Sequence, residues 1–326
     1  MPPRWRVPLL VLGFVSLAFG IAGGLARLSS LDVPGTAIAL HGPLMVSAFF
    51  GTVISLERAV ALGRLWGYAS PLAAGLGGVF LLINSPLLGF ALMVLAAAVF
   101  VACGVLVVQR QPSLETVTLL AGAAAWLAGN VMLLEGQAAV PWWIAFFALT
   151  VAGERLELSR YLKRPPWVRR AFAVLMVLLV ACPLLPQTLG GVLVLLALWL
   201  FAFDLARVTI RQRGLPRYVA ACLLAGYFWL GLGGALIALS TAYDAALHAV
   251  FVGFVFSMVF GHAPVILPAV LRVRFPYHPV LYAPLALLHA SLAVRVLVSV
   301  PVGAWGNAAA IALFVATAAA LVLRKR

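Results

Sequence analysis

The sequence is poor in charge, in cysteine and in lysine, and each shortage excludes something. Charged residues make up only 9% of the chain and hydrophobic ones 65%, which rules out a soluble globular domain. The three cysteines, Cys103, Cys182 and Cys222, lie in separate apolar runs without CxxC spacing. That excludes a disulfide framework and a thiolate metal site; they read as small apolar fillers. Lys163 and Lys325 are the only lysines among the basic residues, which fits a GC-rich genome and carries no functional message. A net charge of +14 invites a nucleic-acid reading, but the basic residues sit in short breaks between apolar runs, and that distribution excludes it.

What the sequence has in abundance is apolar runs of about 20 residues, the length that a hydrocarbon core about 30 Å thick requires. The first, 7–28, is too long for the apolar region of a signal peptide, and no A-x-A site precedes a soluble domain; it reads as a span. Setting apolar runs against polar breaks gives an all-α polytopic membrane protein, one transmembrane domain over 1–326 with about twelve transmembrane helices. These lie near 7–28, 37–60, 69–84, 87–108, 114–133, 139–158, 167–184, 188–209, 217–239, 244–269, 279–300 and 304–323. The breaks at 84–86 (NSP) and 182–187 (CPLLPQ) are the short ones.

Charge supports the count. With the N-terminus inside, the inner loops hold Arg58 and Arg64, Arg110, the group from Arg155 to Arg170, and Arg207, Arg211, Arg213 and Arg217. Arg272, Arg274 and the tail Arg324, Lys325 and Arg326 follow. The outer loops hold Arg27 beside Asp32, then Glu135 and Asp244. This is the positive-inside asymmetry, and an odd number of spans would spoil it. The expectation is a multi-pass protein of the bacterial cytoplasmic (inner) membrane with both termini cytoplasmic. Trp142, Trp143 and Trp305 fall where an outer aromatic belt belongs.

There is an internal echo. Ala48-Phe49-Phe50 followed by Glu57-Arg58 matches Ala145-Phe146-Phe147 followed by Glu154-Arg155 without gaps, 97 residues on; Gly253-Phe254 and Gly261-His262 continue it more weakly. Three pseudo-repeats of four helices, near 1–110, 111–214 and 215–326, account for that spacing.

Ionisable side chains inside a spanning helix are rare and costly, so each is a functional-site candidate. Topology converts position into depth. His41 lies about 7 Å in from the outer end of span 2, His248 about as far in on span 10, and Arg295 at a similar depth on span 11. Two imidazoles at one depth beside an arginine suit a haem b. Neutral imidazoles are good axial ligands to iron, and a guanidinium suits the propionates. Arg295 is the first candidate for that cation and Arg27 the second. His289, about 9 Å below Arg295, is an alternative or second-metal ligand. His262 lies in GHAP about 21 Å along the helix from His248, too far to share a metal with it, and is placed to relay protons or bind a metal near the inner face. Pro264 and Pro268 loosen the helix there. The plainer alternative is that membrane histidines serve as interhelical hydrogen-bonding groups, and that His41, opening HGP, caps or kinks its helix. His278 reads as a surface residue, and Glu57–Arg58 and Glu154–Arg155 read as boundary ion pairs.

These residues resemble a known family. Twelve spans in a threefold arrangement, with histidines on spans 2 and 10, are similar to subunit I of the haem-copper oxidases. Its low-spin haem is held between those two helices near the outer face, a role the resemblance carries to His41 and His248. The NnrS family, twelve-span haem- and copper-containing proteins associated with nitric oxide stress, is closer. Its HA…G…H pattern on a late helix is similar to His248-Ala249, Gly253 and His262, and its following segment resembles Pro284 through His289 to Arg295. Two departures limit what carries over. Spans 6 and 7 contain no histidine, whereas the oxidases bind copper there, so the histidines do not support copper. The double-histidine start of span 2 in NnrS is here a single His41.

Residues and resemblance together imply an integral membrane haem b protein with a role in the nitric oxide stress response or in membrane electron transfer. Its partners would be the lipid bilayer and a redox partner or quinol. A haem closed by two histidines favours electron transfer or sensing over catalysis. Two other readings stay open. One is a twelve-span proton-coupled secondary transporter using His289, His262 and Arg295; the other is an assembly factor for respiratory complexes.

Overall fold

A computed structural model describes residues 1–159 and 162–323. Among these residues the chain is all-helical, with no strand. Twelve long helices follow one another where the sequence puts the spans: α1 (Val7–Ala26), α2 (His41–Leu62), α3 (Leu65–Leu82), α4 (Pro86–Arg110), α5 (Leu114–Leu134), α6 (Val140–Ser159), α7 (Pro166–Ala181), α8 (Pro186–Phe203), α9 (Leu215–Ala238), α10 (Tyr243–Leu271), α11 (Pro279–Leu297) and α12 (Val300–Leu323). Among the described residues ten helices are long and apolar enough to cross a membrane; α6 and α7 are the two outside that group. α6 carries Glu154, Arg155 and Glu157 in its last turns. α7 has only 16 residues, about 24 Å of helix against a core of about 30 Å.

Local chemistry sets the boundaries. Pro86, Pro166 and Pro186 open α4, α7 and α8, where a first-turn residue has no N–H bond to lose. Gly63, at φ 69°, ends α2 and returns its N–H to the Ala59 carbonyl. Ser113 and Thr116 form a reciprocal capping box at the start of α5. The short break after α3 turns on Asn84, at φ 62°.

The chain divides into two compact units, Met1–Phe146 with Val270–Arg272, and Phe147–Ala269 with Val273–Arg326. In the first unit α3 packs on α1, α2 and α4, and α4 packs on α5. Its core gathers Ala37, Leu44, Ala48, Leu81 and Met93. Trp126 stacks on Phe146 at 5.6 Å and meets Phe100 edge-on at 5.7 Å. The tail of α10 joins this unit because the buried Arg6 donates to the Val270 carbonyl at 2.6 Å.

One expectation fails here. Trp143 is no belt residue: it is 2% exposed, and its indole N–H donates to Asn130 Oδ1 at 3.2 Å. The same oxygen accepts from Ser47 Oγ at 2.6 Å, Asn130 Nδ2 donates to the Met93 carbonyl at 2.9 Å, and Trp126 donates to Ser47 Oγ at 3.3 Å. A polar side chain buried in an apolar core has to find partners inside it, and Asn130 draws Trp143 inward. Trp305, by contrast, is 48% exposed.

In the second unit α8 packs along α9, α11 along α12, and Phe260 of α10 stacks on Phe314 of α12. Arg155 forms an ion pair with Asp204, beyond the end of α8. Nε lies 2.8 Å from Oδ2 and Nη2 3.1 Å from Oδ1, and both residues are buried. Asp204 also caps the short helix Ala206–Thr209 by accepting from the Ala206 N–H at 2.6 Å.

Candidate functional site

Neither α2 nor α10 is a plain α-helix. Ahead of α2 the short helix Gly35–Ala39 ends at Leu40 (φ −105°, ψ 25°), and helix resumes at His41-Gly42-Pro43. Leu44–Phe50 then runs as a π-helix before the α-helix returns at Gly51. α10 follows a similar plan: Tyr243–His248 is α-helical, Ala249–Phe256 is π-helical, and the α-helix returns at Ser257. π-helical turns are rare and concentrate at functional sites. Here each follows within three residues of a histidine proposed as a ligand. The π segment of α2 packs against α1 and α3, that of α10 against α9 and α11.

His41 is set by α1. Its Nδ1 lies 2.5 Å from the Gly20 carbonyl oxygen. A carbonyl only accepts, so Nδ1 carries the proton and Nε2 the lone pair. The ring packs close against Gly24 of α1: a Cβ there would stand 2.8 Å from His41 Cε1 and 2.9 Å from Nδ1. Arg27, one turn further along, donates to the Ile38 carbonyl through Nε (2.9 Å) and Nη2 (2.6 Å), and to Ala39 through Nη2 (3.2 Å). Those carbonyls are set loose by the break at Leu40, and Arg27 occupies them.

His248 is set from within its own helix. Its Nδ1 lies 2.8 Å from the Asp244 carbonyl oxygen, one turn back, and 3.2 Å from Asp244 Oδ1. The tautomer is again Nδ1–H. Asp244 is in turn gripped by Arg295 of α11 through both oxygens, Nε to Oδ2 at 3.1 Å and Nη2 to Oδ1 at 2.9 Å. The two arginines singled out in the sequence therefore do parallel work, each holding the segment that leads into a histidine. In the second unit the structure brings His248, Arg295 and Asp244 together.

Below that group lies an apolar layer of Ala249, Leu292 and Trp229, and beyond it His289. Trp229 Nε1 donates to His289 Nδ1 at 2.9 Å, His289 Nε2 faces Ser257 Oγ at 3.4 Å, and Ser257 Oγ donates to the Cys222 carbonyl at 2.7 Å. The donors run in one direction and both imidazole nitrogens are engaged, so His289 would bind a metal only by giving up Trp229 or Ser257. Gly253 is what lets Trp229 reach this place: a Cβ there would stand 2.3 Å from Trp229 Cγ. His262 points its Nδ1 back to the Met258 carbonyl at 2.7 Å, in the stretch of α10 loosened by Pro264 and Pro268. His278 accepts from the Val280 N–H at 3.1 Å and caps the first turn of α11.

Asp244, Trp229, Ser257 and Asn130 are the participants that the sequence reading did not single out. Asp244 had a signal, the D-x-x-x-H spacing that puts it one helical turn before His248. The others are ordinary core types whose partners come from distant helices. Among the described residues no three His, Cys, Asp or Glu side chains converge on a metal-sized site.

The chain belongs to a family described as a domain of unknown function (DUF8744), which matches residues 6–323. No curated protein and no solved structure matches it.

Proposed function

We propose that this chain is a haem b protein of the bacterial cytoplasmic membrane, built along lines similar to the NnrS family, that carries electrons. His41 and His248 would hold the haem through their imidazoles, from the outer halves of α2 and α10, with both termini cytoplasmic. The observation that carries the reading is the matched way the two imidazoles are held. Each gives its Nδ1–H to a backbone carbonyl, Gly20 or Asp244, and so presents Nε2 as the basic nitrogen. That is how ligating histidines are oriented and made more basic by the groups behind them. Each also leads into a π-helical segment and follows a segment clamped by an arginine. A haem in that position supplies one-electron chemistry. The chain's own part is to fix the tautomer and direction of both rings. A haem held by both histidines would leave no open place for a substrate, so passing electrons from a quinol or other redox partner suits the site better than transforming one. A role in nitric oxide stress follows from the resemblance to NnrS.

The interruptions in α2 and α10 favour one other reading, a proton-coupled transporter, since broken helices mark substrate sites in that class. The absorption spectrum separates the two. Purified in detergent after expression with ample haem supply, the protein shows a Soret band and reducible b-type bands if the proposal holds. A colourless preparation refutes it and favours the transporter.

A further inference from the structure

The second unit has a basic corner that the haem reading does not use. Phe203, at the end of α8, is bracketed by Arg164, whose guanidinium carbon sits 5.7 Å from the ring centroid, and by Trp167, edge-on at 5.4 Å. Arg207, on the short helix Ala206–Thr209, donates to the Ala202 carbonyl at 2.5 Å. The two arginines therefore reach adjacent residues, Arg164 over the Phe203 ring and Arg207 on the Ala202 carbonyl. Burial lowers the Arg164 pKa, Asp204 opposes that shift, and Arg207 adds to it. Asp204, the carboxylate beside Arg164, is already gripped through both oxygens by the buried Arg155. Among the described residues no carboxylate bridges Arg164 or Arg207. Two guanidiniums thus reach adjacent residues without a carboxylate bridging either, an arrangement that suits an anion with several oxygens.

The surroundings say which anion. The first turn of α7 exposes Trp167, Arg169 and Arg170, the residue types that settle at headgroup level. Below Arg170, Val174 and Val177 continue the same helical face and are 58% and 67% exposed. A basic, aromatic end above an apolar stripe fits a headgroup with its acyl chain. We infer that this corner binds an anionic phospholipid, its phosphate between Arg164 and Arg207 and a chain along Val174 and Val177.

The test uses the full chain in detergent micelles, with native mass spectrometry counting bound lipid as phosphatidylglycerol or phosphatidylcholine is titrated in, and with inorganic phosphate as a competitor. The expected result is preferential phosphatidylglycerol binding that millimolar inorganic phosphate does not displace. The double variant R164Q/R207Q should weaken it about thirtyfold, at about fivefold per arginine near an anionic lipid surface. R213Q, in the neighbouring loop, should leave it near the wild-type value. Equal binding of the two lipids overturns the proposal. So does displacement by phosphate alone, or a loss with R213Q as large as that of the double variant. If R164Q/R207Q does not accumulate, Val177→Asp decides: it should weaken phosphatidylglycerol binding by blocking the chain, and unchanged binding counts against the site. None of these readouts involves haem.

Discussion

The pair Arg295–Asp244 is lopsided, and that predicts an unequal response to breaking it. The Arg295 side chain is 8% exposed while that of Asp244 is 49% exposed, although the two share a bidentate pair. Asp244→Ala strands a buried guanidinium without its carboxylate. A buried charge left alone costs about 3 kcal/mol or more. Arg295→Met removes the charge, keeps the apolar stem packed, and leaves a carboxylate that water can reach, so its cost should stay near 1 kcal/mol, the range of an exposed pair. The double variant should be more stable than Asp244→Ala alone, because removing the arginine also removes the stranded charge. Equilibrium unfolding of the three variants in mixed micelles gives the cycle. The reasoning fails if Arg295→Met destabilises as much as Asp244→Ala, or if the two effects simply add.

Other predictions follow from the same geometry. Arg155 and Asp204 are both buried, so Arg155→Met and Asp204→Ala should be costly to a similar degree, about 3–5 kcal/mol each, measured in the same unfolding assay. Asn130→Ala should cost about 2 kcal/mol, from three interhelical bonds at about 0.6 kcal/mol each and a small cavity, and should change the fluorescence of Trp143, whose indole bonds to it. Gly24→Val drives a side chain into the His41 ring and should lower haem retention severalfold. Gly191→Ala, which meets open space in α8, should leave haem content unchanged and gain up to about 1 kcal/mol from helix propensity.

The helices were legible because hydrocarbon thickness favours apolar runs of about 20 residues, and prolines and glycines mark the breaks. The interior was less so. Hydropathy does not reveal that α2 and α10 change helix type after their histidines, since a π-helix and an α-helix are equally apolar. Trp143 fits the composition of an aromatic belt, and only Asn130, thirteen residues earlier, explains why it turns inward. Arg27 and Arg295 stood out as intramembrane cations. What they hold, the carbonyls of a broken turn and the Asp244 carboxylate, depends on contacts 11 and 51 residues away in sequence. His41 and His248 were singled out by their expected depth; the carbonyls that orient them, Gly20 and Asp244, could not be read from it.

Electron paramagnetic resonance of the oxidised protein tests the central claim most directly. Two axial imidazoles make ferric haem low-spin, so the wild type should give a low-spin signal. His41→Ala and His248→Ala should each convert it to high-spin or lose the haem, while His278→Ala leaves it unchanged. A low-spin signal that survives both substitutions, or protein that never acquires haem, contradicts the assignment.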